Sequence, residues 1–264
     1  NDNVIEEKFY LTDRIAEEAN AFVNKHKDEP FFIYVPFLAP HTPFQATKAY
    51  YDKLGHIEDR NKRVYNAMIW QLDDAVGSII SNLEAQGLME NTIIFFLSDN
   101  GGATYTKATD NAPLKGGKFT NFEGGLNVPF MVRWDGKVAQ GSTYDSPVIS
   151  MDIFSTSLEM AGVEYTESRP LDGVSLLPIL TDSAQAPIHE KLCWKSGYNR
   201  AIRSGDWKLI TDELSGNHAL YNLIEDKNEQ TNLYDSHPEV VKQLQLQHAV
   251  GESEMMNPAW PNVM

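Results

Sequence analysis

The stretch Thr92–Gly102, Thr-Ile-Ile-Phe-Phe-Leu-Ser-Asp-Asn-Gly-Gly, constrains this chain more than any other. An apolar run of β-branched and aromatic residues ends abruptly in Ser98-Asp99-Asn100 and two glycines. Hydrophobic on both faces and bounded by turn residues, such a run suits a central strand of a parallel sheet covered by helices. Open α/β sheets bind ligands beyond the carboxyl ends of their strands, so Asp99 and Asn100 would face a site there. Gly101 and Gly102 would let other backbone approach closely. A carboxylate beside an amide carbonyl suits a hard cation such as Ca²⁺ or Mg²⁺, which takes oxygen ligands. Asp-Asn-Gly-Gly is equally a good turn sequence, and on its own the stretch leaves both readings open.

The following segment, Asn111-Ala-Pro-Leu-Lys-Gly-Gly-Lys-Phe-Thr-Asn-Phe-Glu-Gly-Gly125, leads into a second strand-like run, Val128–Trp134. Its four glycines free backbone N–H groups to cradle an anion, and Lys115 and Lys118 add positive charge. An anionic substrate is implied. Upstream, Phe31–Val35 reads as another buried strand running into Pro36-Phe-Leu-Ala-Pro-His41-Thr-Pro43, whose prolines end it and fix His41 in a loop. A histidine there can donate to a charged oxygen or protonate a leaving group, although a lone loop histidine is more often surface decoration.

Between these runs the periodicity is helical. Leu11–Lys27 places Leu11, Ile15, Ala19, Phe22 and Val23 on one stripe, with Thr12 as N-cap. Asn61–Gln86 carries Val64, Met68, Leu72, Val76, Ile79 and Leu83, and Gly87 stops it. These apolar residues are core, and the acidic pair Asp73-Asp74 sits mid-helix, which favours a structural role for at least one of them. Met151–Ala161 is a third helix. Beyond it the pattern changes to short strands at 192–195, 200–203, 207–211 and 219–223, separated by Gly-Tyr-Asn, Ser-Gly-Asp and Ser-Gly-Asn turns, then a helix over 238–250. The stretch 181–190 reads as a linker, dividing an α/β part, 1–185, from a small α+β subdomain, 186–264, of four antiparallel strands and a helix.

The net charge of −15 disfavours nucleic acid and anionic membrane as partners and makes local lysines necessary if the substrate is a polyanion. A single cysteine excludes an internal disulfide.

In order, spacing and local sequence, Ala39-Pro-His41-Thr-Pro43, Ser98-Asp99-Asn100-Gly-Gly, Pro113-Leu-Lys-Gly-Gly-Lys118, Phe122-Glu-Gly-Gly125, Leu171-Asp-Gly-Val-Ser-Leu-Leu-Pro178 and Ala201–Ile210 resemble the sulfatase family, formylglycine-dependent enzymes. The resemblance implies an α/β fold with an alkaline-phosphatase-like mixed sheet flanked by helices, incomplete here, plus the small antiparallel sheet. It implies that Asp99 and Asn100 ligate a divalent cation, calcium or magnesium, and that His41 and Lys118 contact the sulfate. It implies a sulfated small molecule or glycan as substrate and a periplasmic or secreted location. Tyr105, Lys107, Tyr198 and Arg200 are candidates for contact with that substrate, although Tyr198 and Arg200 read more readily as turn residues on an exposed edge.

The chain departs from the family in lacking the Asp-Asp pair after the first strand, the Lys-x-His pair and the Cys- or Ser-x-Pro-x-Arg motif that supplies formylglycine. Cys193 has neither the proline nor the arginine of that motif, and Ser168-Arg-Pro170 meets Asp172 where the arginine belongs. The expectation is therefore the carboxyl-terminal part of a sulfatase, inactive alone, with the amino-terminal segment supplied as further sequence or as a separate chain. Asn1–Glu7 reads as an internal loop. A phosphatase or phosphonate hydrolase of the same superfamily and a non-catalytic module binding sulfated glycans are the alternatives.

Overall fold

The computed structural model describes residues 9–166, 170–181 and 186–255, which form a mixed α/β arrangement. Asn1–Glu7, Ser168 and part of the 181–190 stretch lie outside the described residues. The chain divides into two units. One takes in residues up to Ile94 with Ala103–Asp110 and Arg133–Gly136, and the other takes in Phe95–Gly102, Asn111–Val132 and residues from Lys137 onward.

The first unit is built on α3 (Arg60–Ala85), against which α1 (Leu11–His26) and α2 (Lys48–Lys53) pack. Asp59 caps α3, accepting from the Lys62 N–H at 2.9 Å, and Gly87 follows its end at φ 68°. The buried stripe of α3 is Ala67, Met68, Gln71, Ala75 and Leu83, turned by about one residue from the expected one. Gln71 explains the turn: its amide donates to both oxygens of Asp13 at 2.9 and 2.7 Å, while its carbonyl accepts from the Thr47 hydroxyl at 3.0 Å. A buried amide with every group satisfied is as good a core residue as leucine. On α1, Thr12 lies buried inside the helix rather than capping it, and the cap position falls on Tyr10 without a side-chain bond. Ala16, Ala19 and Val23 face inward, and Leu11 and Phe22 are exposed. Asp74 accepts from the Tyr50 hydroxyl at 2.6 Å, and this bond pushes the phenol up to about 12, a structural role.

The strand expected over Phe31–Val35 forms no ladder with any described residue. The segment is extended, and alternate side chains face solvent, with Phe32 72% and Tyr34 78% exposed. A strand exists through its neighbour, and sequence pattern alone carries no information about whether one is present.

β1 (Ile94–Leu97) and β2 (Phe130–Arg133) pair as a two-stranded sheet. The second unit also carries α4 (Glu123–Leu126), α5 (Asp152–Met160) and α6 (Leu177–Thr181). At the start of α5 the buried Asp152 accepts from the Ile149 and Val174 N–H groups at 2.8 and 2.9 Å and pairs with His189 Nε2. The Thr156 hydroxyl accepts from the Leu176 N–H at 2.9 Å. The Leu171–Pro178 motif is thereby pinned to α5.

The small sheet runs β3 (Lys191–Ser196), β4 (Asn199–Ser204), β5 (Trp207–Asp212) and β6 (His218–Asn222), antiparallel in sequence order. Two-residue turns at Gly197-Tyr198 and Gly205-Asp206 set the registers Ser196↔Asn199 and Ser204↔Trp207. One face buries Ile202, Leu209 and Leu220 against Val241 and Leu244 of α7 (Pro238–Ser253). No helix among the described residues is long and apolar enough to cross a membrane.

At the far end of α7, Glu252 receives the Arg200 guanidinium at 3.0 and 3.1 Å and pairs with Lys195. Arg200, and then Lys195, hold its carboxyl down to about 2. Because the folded value lies below the unfolded one, this stability is present above about pH 4.5 and is lost as pH falls through 2. We therefore expect Glu252→Gln to lower stability at neutral pH and to flatten the acid limb between pH 4.5 and 2. Urea midpoints of both proteins across that range, diverging upward in pH, check it.

Candidate functional site

The apolar strand β1 delivers Ser98, Asp99 and Asn100 to its carboxyl end, but it is not the central strand expected: among the described residues it pairs with β2 alone, and Phe96 is exposed. The Ser98 N–H donates to the Pro129 carbonyl at 3.1 Å, the last rung toward β2. Asp99 is exposed, and one of its oxygens accepts from the Asn100 N–H at 2.9 Å. The Asn100 side-chain nitrogen donates to the Gly101 carbonyl at 2.9 Å, which turns its oxygen away from the backbone.

The glycine-rich segment closes onto this strand end through backbone. Gly101 N–H donates to the Gly125 carbonyl at 3.0 Å, and Lys118 N–H donates to the Gly102 carbonyl at 3.1 Å. Asn111 braces the junction: its side-chain oxygen accepts from Gly102 N–H at 2.9 Å, and its nitrogen donates to the Gly102 and Gly116 carbonyls, each at 3.0 Å. A Cβ at Gly101 would overlap the Gly124 carbonyl, and one at Gly124 would overlap the Lys115 and Gly116 carbonyls. The glycines thus serve backbone-to-backbone approach, and Gly116, at φ 77°, also turns the chain. Asp99, Asn100 and Lys118 are thereby brought together within one unit. Lys118 is half-buried, with its Nζ 5.4 Å from the ring centre of Phe119, a mostly exposed aromatic held at φ 74°.

Asp99 and Asn100 offer one carboxylate and one amide oxygen, hard donors of the kind calcium and magnesium select. The donor chemistry fits such a cation, but two side chains cannot complete its shell of six to eight oxygens. No group of three or more His, Cys, Asp or Glu among the described residues is placed to hold a metal by itself.

His41, Tyr105 and Lys107 belong to the other unit. His41 is exposed, and its Nδ1 lies 2.7 Å from the Thr42 carbonyl. A carbonyl only accepts, so in this contact Nδ1 carries a proton and donates. Tyr105 sits on a single 3₁₀ turn, Thr104–Thr106, and Lys107 follows in a left-handed conformation at φ 60°. Lys107 lines an open cleft of about 500 Å³ with Lys62, Thr104, Ala108, Thr109 and Asp110. Tyr198 is exposed in the β3–β4 turn. Arg200 lies in β4 beyond that turn, with its guanidinium engaged by Glu252 and Glu213. Cys193 on β3 is half-buried, and burial pushes its thiol up, away from the reactive thiolate.

Sequence reasoning did not find a buried ionic cluster beneath the glycine segment. Lys208 of β5 places its ammonium 2.8 Å from Glu123 and 2.9 Å from Glu229, and both Lys208 and Glu229 are fully buried. The signal that could have found it is a lysine inside the apolar Trp207-Lys-Leu-Ile run, together with an acid inside the apolar and glycine stretch Phe122-Glu-Gly-Gly.

Comparison with known proteins agrees with this construction. The sulfatase family profile matches residues 1–163, and the N-sulphoglucosamine sulphohydrolase carboxyl-terminal profile matches 117–254. The uncharacterized sulfatase YdeN of Escherichia coli (strain K12) is 29% identical over 279 residues, covering 90% of this chain and 50% of that protein. Human steryl-sulfatase is 32% identical over 201 residues, covering 73% of this chain and 33% of that protein. The crystal structure of Ps i-CgsB in complex with k-i-k-neocarrahexaose superposes with a TM-score of 0.90 at 29% identity, over 99% of this chain and 59% of that one. The chain therefore spans half or less of the length of these two curated relatives, and its fold is the alkaline-phosphatase-like α/β fold. A strand end bearing Asp99-Asn100, clasped by a glycine segment bearing Lys118, is what the profile match covers, and the chain belongs to the sulfatase family.

Proposed function

We propose that this chain is part of an enzyme that hydrolyses a sulfate monoester carried on a carbohydrate. The observation that supports the reading best is the clasp of Lys118 N–H on Gly102, which brings an ammonium-bearing segment and two hard oxygen donors to one strand end. The oligosaccharide bound by Ps i-CgsB supports a carbohydrate as the carrier of the ester. In a chain of net charge −15, Lys118 in one unit, and Lys107 beside Lys62 in the other, each supply local positive charge of the kind a polyanionic substrate needs.

Asp99 and Asn100 would hold calcium or magnesium, which when bound supplies positive charge to the sulfate oxygens, while a formylglycine from sequence outside these 264 residues supplies the nucleophile. Lys118 offsets the charge on those oxygens as it shifts during displacement at sulfur, a preorganised electrostatic contribution. His41, with Nδ1–H fixed on the Thr42 carbonyl, delivers a proton from Nε2 to the departing alcohol. Tyr105 in one unit and Tyr198 in the other each carry an exposed aromatic face of the kind a sugar ring takes, and Lys107 with Lys62 offers charge to an anionic group. The 264 residues alone are inactive in this reading.

In the full-length enzyme, Asp99→Ala should nearly abolish sulfate release from 4-nitrophenyl sulfate, and a near-wild-type rate would remove Asp99 from the cation site. Lys118→Ala should lower kcat by about 10²–10³. For His41→Ala the loss should be much larger with a sugar sulfate than with the aryl ester, because a phenolate leaves without a proton. Equal losses on both would exclude proton delivery from His41. A phosphate or phosphonate monoester cleaved faster than the sulfate would overturn the reaction class.

A further inference from the structure

The buried cluster beneath the glycine segment has a geometry that a purely packing role does not require. Glu229 uses three separate groups, two of them on the segment and one on Lys208 of β5. One carboxylate oxygen accepts from the Glu123 N–H at 2.6 Å, the other pairs with Lys208 at 2.9 Å, and the backbone carbonyl accepts from Lys115 Nζ at 3.0 Å. Lys208 closes the loop by donating to Glu123 at 2.8 Å, and the second Glu123 oxygen accepts from Asn127 at 3.3 Å. Lys115 also donates to the Tyr221 hydroxyl at 3.2 Å and lies 4.5 Å from the Phe122 ring centre. Two carboxylates and two ammonium groups balance in charge.

Glu229 achieves this at φ 56°, a left-handed conformation that an unbranched non-glycine residue adopts at a cost. Such an outlier is kept when the surrounding structure holds it, and here its side chain and its carbonyl both face the segment. Lys115 and Glu123 bracket Lys118, three residues after the first and five before the second. The segment that carries the ammonium is therefore fixed at both sides by one residue more than 100 positions away, the separations being 114 and 106.

Building on the sulfate-ester reading, we infer that Glu229, with Lys208, is a positioning device for Lys118: it sets the register of residues 115–123 and so the place of the ammonium against the sulfate. Neither residue touches substrate. A displacement of about 1 Å at a charge-stabilising group is enough to lower turnover by up to about 10²-fold.

The test uses Glu229→Gln, which keeps the shape but sets an amide N–H₂ against either Lys208 or the Glu123 N–H. Lys115→Met, which removes the second anchor while leaving the Lys208, Glu123 and Glu229 contacts in place, is the milder partner. Leu244→Ala, in the sheet core, is the control for lost stability alone. In the full-length enzyme with 4-nitrophenyl sulfate, both anchor variants should lower kcat at least about tenfold with KM changed much less, and Leu244→Ala should leave kcat unchanged. Independently of turnover, hydrogen exchange in the folded chain should speed up at the Lys118 and Gly124 amides of Glu229→Gln, relative to the amides of β4. Exchange and kcat both matching the Leu244→Ala control would overturn the positioning role. A wild-type enzyme that releases no sulfate sinks the functional reading instead, and the exchange comparison then decides whether the clamp holds the segment.

Discussion

Two pieces of backbone meet at Gly101 and Gly124-Gly125 more closely than any side chain would allow, and the rest of the site depends on that approach. Hydrogen bonds from Gly101 and Lys118 lock it in register. Because bonds between main-chain groups leave few rotatable torsions, the Asp99 and Asn100 oxygens and the Lys118 stem inherit their positions from the backbone. Asn111 adds a side-chain imitation of one more rung, satisfying both groups of Gly102 at once.

The clasp is local, but what supports it is not. Below it the fully buried Lys208 ammonium lies between two carboxylates. Removing one member of such a cluster leaves an uncompensated ion in a medium that solvates it poorly, so the members must persist together. The cluster also makes the four-stranded sheet part of the site's framework, because β5 and the turn after β6 supply Lys208 and Glu229. Across the sheet, α7 is fastened by apolar packing at Val241 and Leu244 and by the ion pairs of Glu252.

Much of this was legible in the sequence, for identifiable reasons. The meander was readable within a residue or so at each end, because two-residue turns announce themselves through glycine and strands alternate. The carboxyl end of α3 was readable because Gly87 punctuates it, whereas its Asp59 cap went unread. The Asp99-Asn100 strand end and the glycine segment stood out through abrupt changes in composition. The buried faces of α1 and α3 were misjudged by a fraction of a turn because Thr12 and Gln71 are polar by type but satisfied in place. Phe31–Val35 has the composition of a strand but meets no partner among the described residues, a property of the surroundings rather than of the segment. The ionic cluster escaped because Glu123 lies 85 and 106 residues from Lys208 and Glu229, beyond any local pattern.

Glu229 imposes opposite demands on a substituting residue. Its backbone torsion would be most comfortable with glycine or asparagine, and its surroundings accept only a carboxylate long enough to reach both Lys208 and Glu123. Relaxing the first demand empties the second, since neither glycine nor asparagine spans that gap with charge. Sequence drift at this position therefore has no single-step route to a calmer backbone, and a change here can be tolerated only together with changes at Lys208 and Glu123.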